Sequence, residues 1–284
     1  MELDQVSAVE FPDSSSVSGV RNDRNGRFVA WGRKSGSIAL FEGSRSRSFR
    51  IAEAVGVVGV GFDTHGDAQA MVETVNKSSG RQDVILVSVP TTGAKPLASV
   101  EVDARLLQAE RAGTRWYMSA TLADSALAVF RRDSDGSVRP IRIVRSRTDA
   151  GEGVPKLHLS ADSDELLLTR ADSPFNVERI DSIGRSLGRS APLDDERVRT
   201  AIDSMPEATW VSLPAIPLAR GYIQTIADLR SAERILILSG RDGRVISARR
   251  FSIPLGFVDS DIPAQLLCAV RTLDTRELVC YRWK

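Results

Sequence analysis

Six times along this chain a turn bearing glycine or aspartate runs into an apolar stretch, as in Gly26-Arg27-Phe28-Val29-Ala30-Trp31 and Asp164-Glu165-Leu166-Leu167-Leu168. The stretches after these turns begin near Phe28, Ala68, Trp116, Leu166, Tyr222 and Gln265, at steps of 40, 48, 50, 56 and 43 residues. Short strands recurring every 40–50 or so residues form units that cannot bury their apolar faces alone and must stack on their neighbours. The 42% hydrophobic and 26% charged content suits a chain with a sizeable core, read here as one domain over residues 1–284.

Runs of four to eight apolar or alternating residues, bounded by Gly, Asn, Asp, Ser or Pro, read as strands and fall into sets of four. The expected fold is all-β, a six-bladed β-propeller of four-stranded antiparallel blades. The last set shows only three strands, near 257–259, 265–271 and 277–283. The alternating segment Gln5-Val6-Ser7-Ala8-Val9-Glu10-Phe11 is the expected fourth, an N-terminal strand that closes the last blade and removes an open edge.

Cys268 and Cys280 stand symmetrically about Asp274, facing each other across an expected hairpin. A disulfide between directly opposed residues on paired strands is sterically awkward, so two buried free thiols are expected. If bonded, the pair implies an oxidising compartment.

One segment departs from the strand pattern. Over residues 193–206 the apolar positions Val198, Ala201, Ile202 and Met205 have helical spacing, acidic residues crowd the start, and Pro206 follows the end. A short helical insertion near 194–205 accounts for the widest step between strands. It is expected to pack on a blade edge, with partner binding as its functional alternative.

The phrases Gly19-Val20-Arg21-Asn22-Asp23-Arg24-Asn25-Gly26-Arg27-Phe28-Val29-Ala30-Trp31 and Leu157-His158-Leu159-Ser160-Ala161-Asp162-Ser163-Asp164-Glu165-Leu166-Leu167-Leu168 resemble the repeat of TolB-like and WD40-like propellers. That repeat sets a Ser-Pro-Asp-Gly-type turn before an apolar strand; here the proline is absent. The resemblance implies a closed six-bladed propeller that binds proteins or small ligands on its loop faces without an obligatory cofactor.

Composition and motifs narrow the chemistry. Lys+Arg total 38 against Asp+Glu 37, a net charge of +1, so no global field favours nucleic acid. Arginine supplies 33 of those cations, a bias that fits a GC-rich bacterial genome. No apolar run approaches the roughly 20 residues of a membrane span. The acidic start, Met1-Glu2-Leu3-Asp4-Gln5, lacks the form of a secretory signal. The expectation is a cytoplasmic protein as written, or a periplasmic one if a signal has been removed.

His65 and His158 are the only histidines, one in a turn and one in a strand, and no His/Cys spacing suggests zinc. Asp133-Ser134-Asp135-Gly136 begins like a calcium loop but runs into a strand where later ligands should be. Gly56-Val57-Val58-Gly59-Val60-Gly61 reads as a small-residue inner strand that lets neighbouring blades approach. Arg45-Ser46-Arg47-Ser48-Phe49-Arg50 reads as a solvated, charge-protected edge.

These readings favour a non-catalytic protein-interaction propeller of bacterial type, an envelope-assembly or immunity factor among the options, with another protein as partner and no cofactor or metal. The alternative is a propeller hydrolase or lyase using carboxylates of the central channel. The expected binding surface combines loops between second and third strands, at Arg33, Lys34, Asn76, Lys77, Arg81, Asp172, Arg230 and Glu233, with Val198, Ile202 and Met205 of the helix.

Overall fold

The computed structural model describes residues 3–10, 19–23, 27–32, 36–42, 45–51, 53–75, 82–89, 95–123, 126–144, 157–162, 165–252, 255–261, 266–271 and 277–283. The first strand, β1, is Leu3–Glu10. Three four-stranded antiparallel sheets follow: β2 (Gly19–Asn22), β3 (Arg27–Trp31), β4 (Ser37–Glu42) and β5 (Arg45–Arg50); β6 (Ala54–Phe62), β7 (Ala68–Val75), β8 (Gln82–Ser88) and β9 (Lys95–Val100); β10 (Arg105–Ala112), β11 (Arg115–Thr121), β12 (Leu127–Arg132) and β13 (Val138–Val144). A fourth holds β14 (Leu157–Asp162), β15 (Glu165–Arg170), β16 (Val177–Asp181) and β17 (Ser186–Ser190).

Next come a 3-10 turn at Pro192–Asp194 and the helix α1 (Glu196–Asp203). A five-stranded sheet contains β18 (Trp210–Ser212), β19 (Ile216–Leu218), β20 (Gly221–Asp228), β21 (Glu233–Gly240) and β22 (Val245–Ser252). The last sheet takes β23 (Leu255–Asp261), β24 (Leu266–Arg271) and β25 (Glu277–Trp283), in the order β1-β25-β24-β23.

The extra strand of the fifth sheet is one broken strand. Both β18 and β19 pair with β20, at Ser212↔Ile226 and Ile216↔Ile223. Between them the Leu213 N–H still bonds the Thr225 carbonyl at 2.9 Å. Pro214, with no N–H to give, interrupts the ladder.

The chain forms two compact units, one carrying the sheets β2–β5, β6–β9 and β10–β13, the other the sheets β14–β17 and β18–β22 with most of the β1-β25-β24-β23 sheet. In the first unit the core lies between consecutive sheets. Val29, Trp31 and Ile38 pack on Val57, Val60 and Val72, and Met71 and Leu86 pack on Leu106, Trp116 and Met118. Close approach depends on glycine: a Cβ on Gly59 of β6 would lie 1.9 Å from the Ala109 carbonyl oxygen of β10. Arg21 of β2 and Glu110 of β10 form an ion pair beside this contact, and Gln108 Nε2 donates to the same carboxylate at 2.8 Å.

The second unit repeats the design, with Leu167 and Val177 on Ala215 and Tyr222, and Ile223 and Leu236 on Ala269. Here the expectation of two free thiols is overturned. Cys268 of β24 and Cys280 of β25 are joined as a disulfide, their Cα atoms 4.1 Å apart and both side chains buried. Opposed residues at the narrow spacing of an antiparallel ladder bring their sulfurs within reach.

The recurring turn has a simple cause. At residues 63–67 the Asp63 carboxylate accepts the N–H groups of His65 and Asp67, each at 2.9 Å, and Gly66 takes a φ of +81°. At 181–185 the Asp181 carboxylate binds the Ile183 and Arg185 N–H groups at 3.0 and 2.8 Å, with Gly184 at φ +88°. Aspartate closes the turn and glycine supplies the left-handed residue.

Candidate functional site

The second unit holds all of the candidate surface that can be described. Arg33, Lys34, Asn76, Lys77 and Arg81 lie outside the described residues. Asp172 sits in the β15–β16 connection, Arg230 in the β20–β21 connection and Glu233 at the start of β21, with α1 close by. Asp172 and Arg230 thus lie in connections of the same kind, each between the second and third strands of its sheet, and Glu233 lies in β21 itself.

The helix is anchored along the outer strand β22. Asp195 caps it by accepting the Arg197 N–H at 3.0 Å, and the Arg197 side chain holds the Asp195 carboxyl below the usual carboxylate range. Arg197 also donates to the Val245 and Ile246 carbonyls at 3.1 and 3.2 Å. At the other end Arg250 donates to Ser204 Oγ at 3.0 Å. Val198, with no exposed surface, enters a cluster with Phe175, Ile226, Ile235 and Ile237. Ile202 packs at the margin of that cluster, and Met205 is half-buried. Of the three helical candidates, Val198 fixes the helix while Ile202 and Met205 lie nearer solvent.

The β20–β21 connection is organised by Asp228. Its carboxylate accepts Ser231 Oγ at 2.6 Å, the Thr209 N–H at 2.8 Å and the Arg230 N–H at 3.3 Å. The Ser231 hydroxyl, with the two backbone donors, holds the Asp228 carboxyl below its ordinary pKa. Beneath it the buried Arg234 guanidinium donates to the carbonyls of Asp228, Ser231 and Glu233 at 2.8 to 3.0 Å. Glu233 is bound by Ser252 and, at 2.6 Å, by Arg250; these bonds lower its pKa. Above this base Leu229 stands 65% exposed, its N–H tied to the Thr209 carbonyl at 3.0 Å. An apolar side chain so exposed on a connection so tightly bonded is a rigid projection.

The neighbouring connection is joined to the same frame. The Ala171 carbonyl accepts the Ser212 N–H at 2.6 Å, and the Phe175 carbonyl accepts Gln224 Nε2 at 2.7 Å. Asp172 remains exposed and pairs with Arg170 at 3.2 Å. Leu229, Asp228 and Arg234 are absent from the sequence-derived surface because Leu229 reads as the last core position of a strand. The spacing of Asp228 and Ser231 around a short connection was the available signal for a capped loop.

Other candidate chemistry is taken up structurally. Asp133 is surrounded by Arg131, Arg115 and Arg139 at 2.9, 3.2 and 3.4 Å, a cationic setting that repels a metal ion. Asp135 accepts the Ser137 hydroxyl and N–H at 2.7 and 2.9 Å. Glu110 is 1% exposed and committed to Arg21 and Gln108. Half-buried His158 lies opposite Thr169 in the β14–β15 ladder, and exposed His65 donates its N–H to Asp63.

No protein-family model matches the sequence, and no curated protein matches it with significance. Solved structures do match. The β-propeller domain of Myceliophteria thermophila Cps50 (Swd1) superposes with a TM-score of 0.57 at 12% identity, covering 100% of both chains. A TolB candidate from Agrobacterium tumefaciens gives 0.60 at 10% identity, over 96% of this chain and 91% of that one. A chain of the mitotic checkpoint complex gives 0.55 at 8% identity, over 98% and 95%. The fold is that of an all-β propeller, with five four-stranded antiparallel blades and one short helix among the described residues.

Proposed function

We propose that this chain is a non-catalytic interaction propeller whose working surface in the second unit is the pair of connections around Asp172 and Leu229–Glu233, flanked by Ile202 and Met205. The carrying observation is the exposed Leu229 on a connection locked from beneath by Asp228 and Arg234. A rigid apolar anchor with polar neighbours is what protein recognition uses, since ordering costs are already met before binding. Among the described residues nearby, Asp228 caps backbone groups and Asp172 and Glu233 pair with arginine. A matched fold appears in the mitotic checkpoint complex, an assembly of proteins, which supports the reading at the level of fold.

The same reading makes the β1-β25-β24-β23 sheet the sixth blade, closed by the N-terminal strand. Removing residues 1–11 is then expected to lower the melting temperature sharply or cause association. Unchanged melting would exclude the closure. The disulfide supports reading the working protein as one of an oxidising compartment, the periplasm for a bacterial protein.

The binding test is cross-linking capture from an extract of the native host, comparing the wild type with Leu229→Asp and Arg230→Glu. The expected outcome is one partner captured by the wild type and lost from both variants, with melting temperatures unchanged. Equal capture by all three proteins would refute this surface.

A further inference from the structure

Where the sheets β14–β17 and β18–β22 pack on each other, three buried hydroxyl groups converge. The Tyr222 ring of β20 lies among Leu167, Val177 and Ala215. Tyr222 and Ser239 are direct partners in the β20–β21 ladder, which sets their side chains on one face. Burial pushes the Tyr222 pKa up, and the hydroxyls of Ser239 and of Ser190, at the end of β17, pull against that shift. Tyr222, Ser190 and Ser239 are 1%, 2% and 0% exposed, yet none of the three oxygens makes a hydrogen bond to a protein group. Other hydroxyls nearby do: Thr169 Oγ1 accepts the Ala215 N–H at 2.9 Å, and Ser212 Oγ donates to the Leu213 carbonyl at 3.0 Å.

Proximity without a direct bond is the geometry of a bridged contact. A buried hydroxyl left unbonded forfeits its hydration with no return, and three at one point multiply that cost. The bridging group must both donate and accept, because each hydroxyl does both. It is also neutral. The charged groups that act on Tyr222 are Arg179 and Asp242, whose effects oppose each other. Arg179 donates to Glu165 at 2.9 Å, and Asp242 stands 3.7 Å from Arg244, so neither sign of charge is in excess. The backbone around the three residues is closely drawn. A Cβ on Gly221 would lie 1.9 Å from the Ser239 carbonyl oxygen, and one on Gly243 would lie 3.3 Å from the Ser190 nitrogen. A small neutral molecule with two-way hydrogen bonding is water.

We propose that Tyr222 Oη, Ser190 Oγ and Ser239 Oγ bind one internal water molecule, which ties β17 of one sheet to β20 and β21 of the next. Three protein partners are what a buried water ordinarily finds. The site lies at the start of β20, whereas the Leu229 connection follows the end of that strand. It is therefore separate from the loop surface and stands whether or not that surface binds a partner.

The test is a crystal structure of the full chain at a resolution that shows ordered water, joined to oxygen-17 relaxation dispersion, which counts long-lived internal waters in solution. The expected density is one water within about 3.2 Å of all three oxygens. The dispersion amplitude should fall by one water in Tyr222→Phe and in Ser239→Ala, and by no more than one in the double variant. Each single substitution strands the remaining hydroxyls, so the unfolding equilibrium constant should rise about five- to a hundredfold. The double variant should rise by less than the product of the two, because the same water is lost only once. Each substitution deletes one oxygen, and the wild-type density and amplitude decide the question even if a variant fails to fold. The proposal is overturned if the three oxygens bond one another directly, if the site is dry or holds an ion, or if Tyr222→Phe keeps the full dispersion amplitude.

Discussion

Gly59 is the position where a single methyl group should do most damage. Its added Cβ would lie 1.9 Å from the Ala109 oxygen, 2.7 Å from the Ala109 carbonyl carbon and 3.1 Å from its Cα. Ordinary contact begins near 3.4 Å. The obstruction is backbone, so no side-chain rotation relieves it, and β6 and β10 must separate. Overpacking of this kind costs about 1–3 kcal/mol. Ala109 also precedes Glu110, so the movement pulls on the buried pair with Arg21, whose disruption alone costs about 3–5 kcal/mol. Taking about 3 kcal/mol as the net, Gly59→Ala should melt about 6–12 °C below the wild type, given about 2–4 °C per kcal/mol in large domains. Gly113→Ala is the control: its φ is +58° and nothing lies within 4 Å of the new Cβ, so only the backbone penalty of about 1 kcal/mol applies. Thermal unfolding followed by circular dichroism measures both. If Gly59→Ala melts at or above Gly113→Ala, the close approach of β6 and β10 is wrong.

Replacing both cysteines, Cys268→Ala with Cys280→Ala, frees a loop closed over a separation of 12 residues and should cost about 3 kcal/mol in urea unfolding. Equal midpoints for the variant and the oxidised wild type would argue against the bond. Asp228→Asn should destabilise the protein at neutral pH. Because the folded carboxyl titrates below its unfolded value, that stabilisation is present above about pH 4 and disappears as pH falls through the folded pKa. The melting gap between variant and wild type should therefore close in acid, and a gap constant down to pH 2 or so would contradict the assignment. Val198→Ala opens a cavity under the helix and should cost about 2 kcal/mol, with amide exchange rising first over α1. Exchange that rises elsewhere and spares the helix would show that Val198 does not hold it.

Residue order alone determined the local grammar. Aspartate and glycine at fixed offsets dictate the turns at 63–67 and 181–185, since the carboxylate bonds nearby N–H groups and glycine accepts a positive φ. Alternation dictates the strands, and helical spacing with an acidic start dictates α1. Even Gly59 and Gly61 announced a close neighbour. Tertiary structure decided what depends on distance between remote residues: that Arg21 reaches Glu110, that Cys268 bonds Cys280, and that Pro214 splits one strand into two. It also decided exposure. Leu229, Leu187 and Ile246 look like core residues in sequence, because hydrophobicity is a property of the side chain, whereas burial belongs to the surroundings. A capped connection turned Leu229 outward, and register shifts in β17 and β22 did so for Leu187 and Ile246.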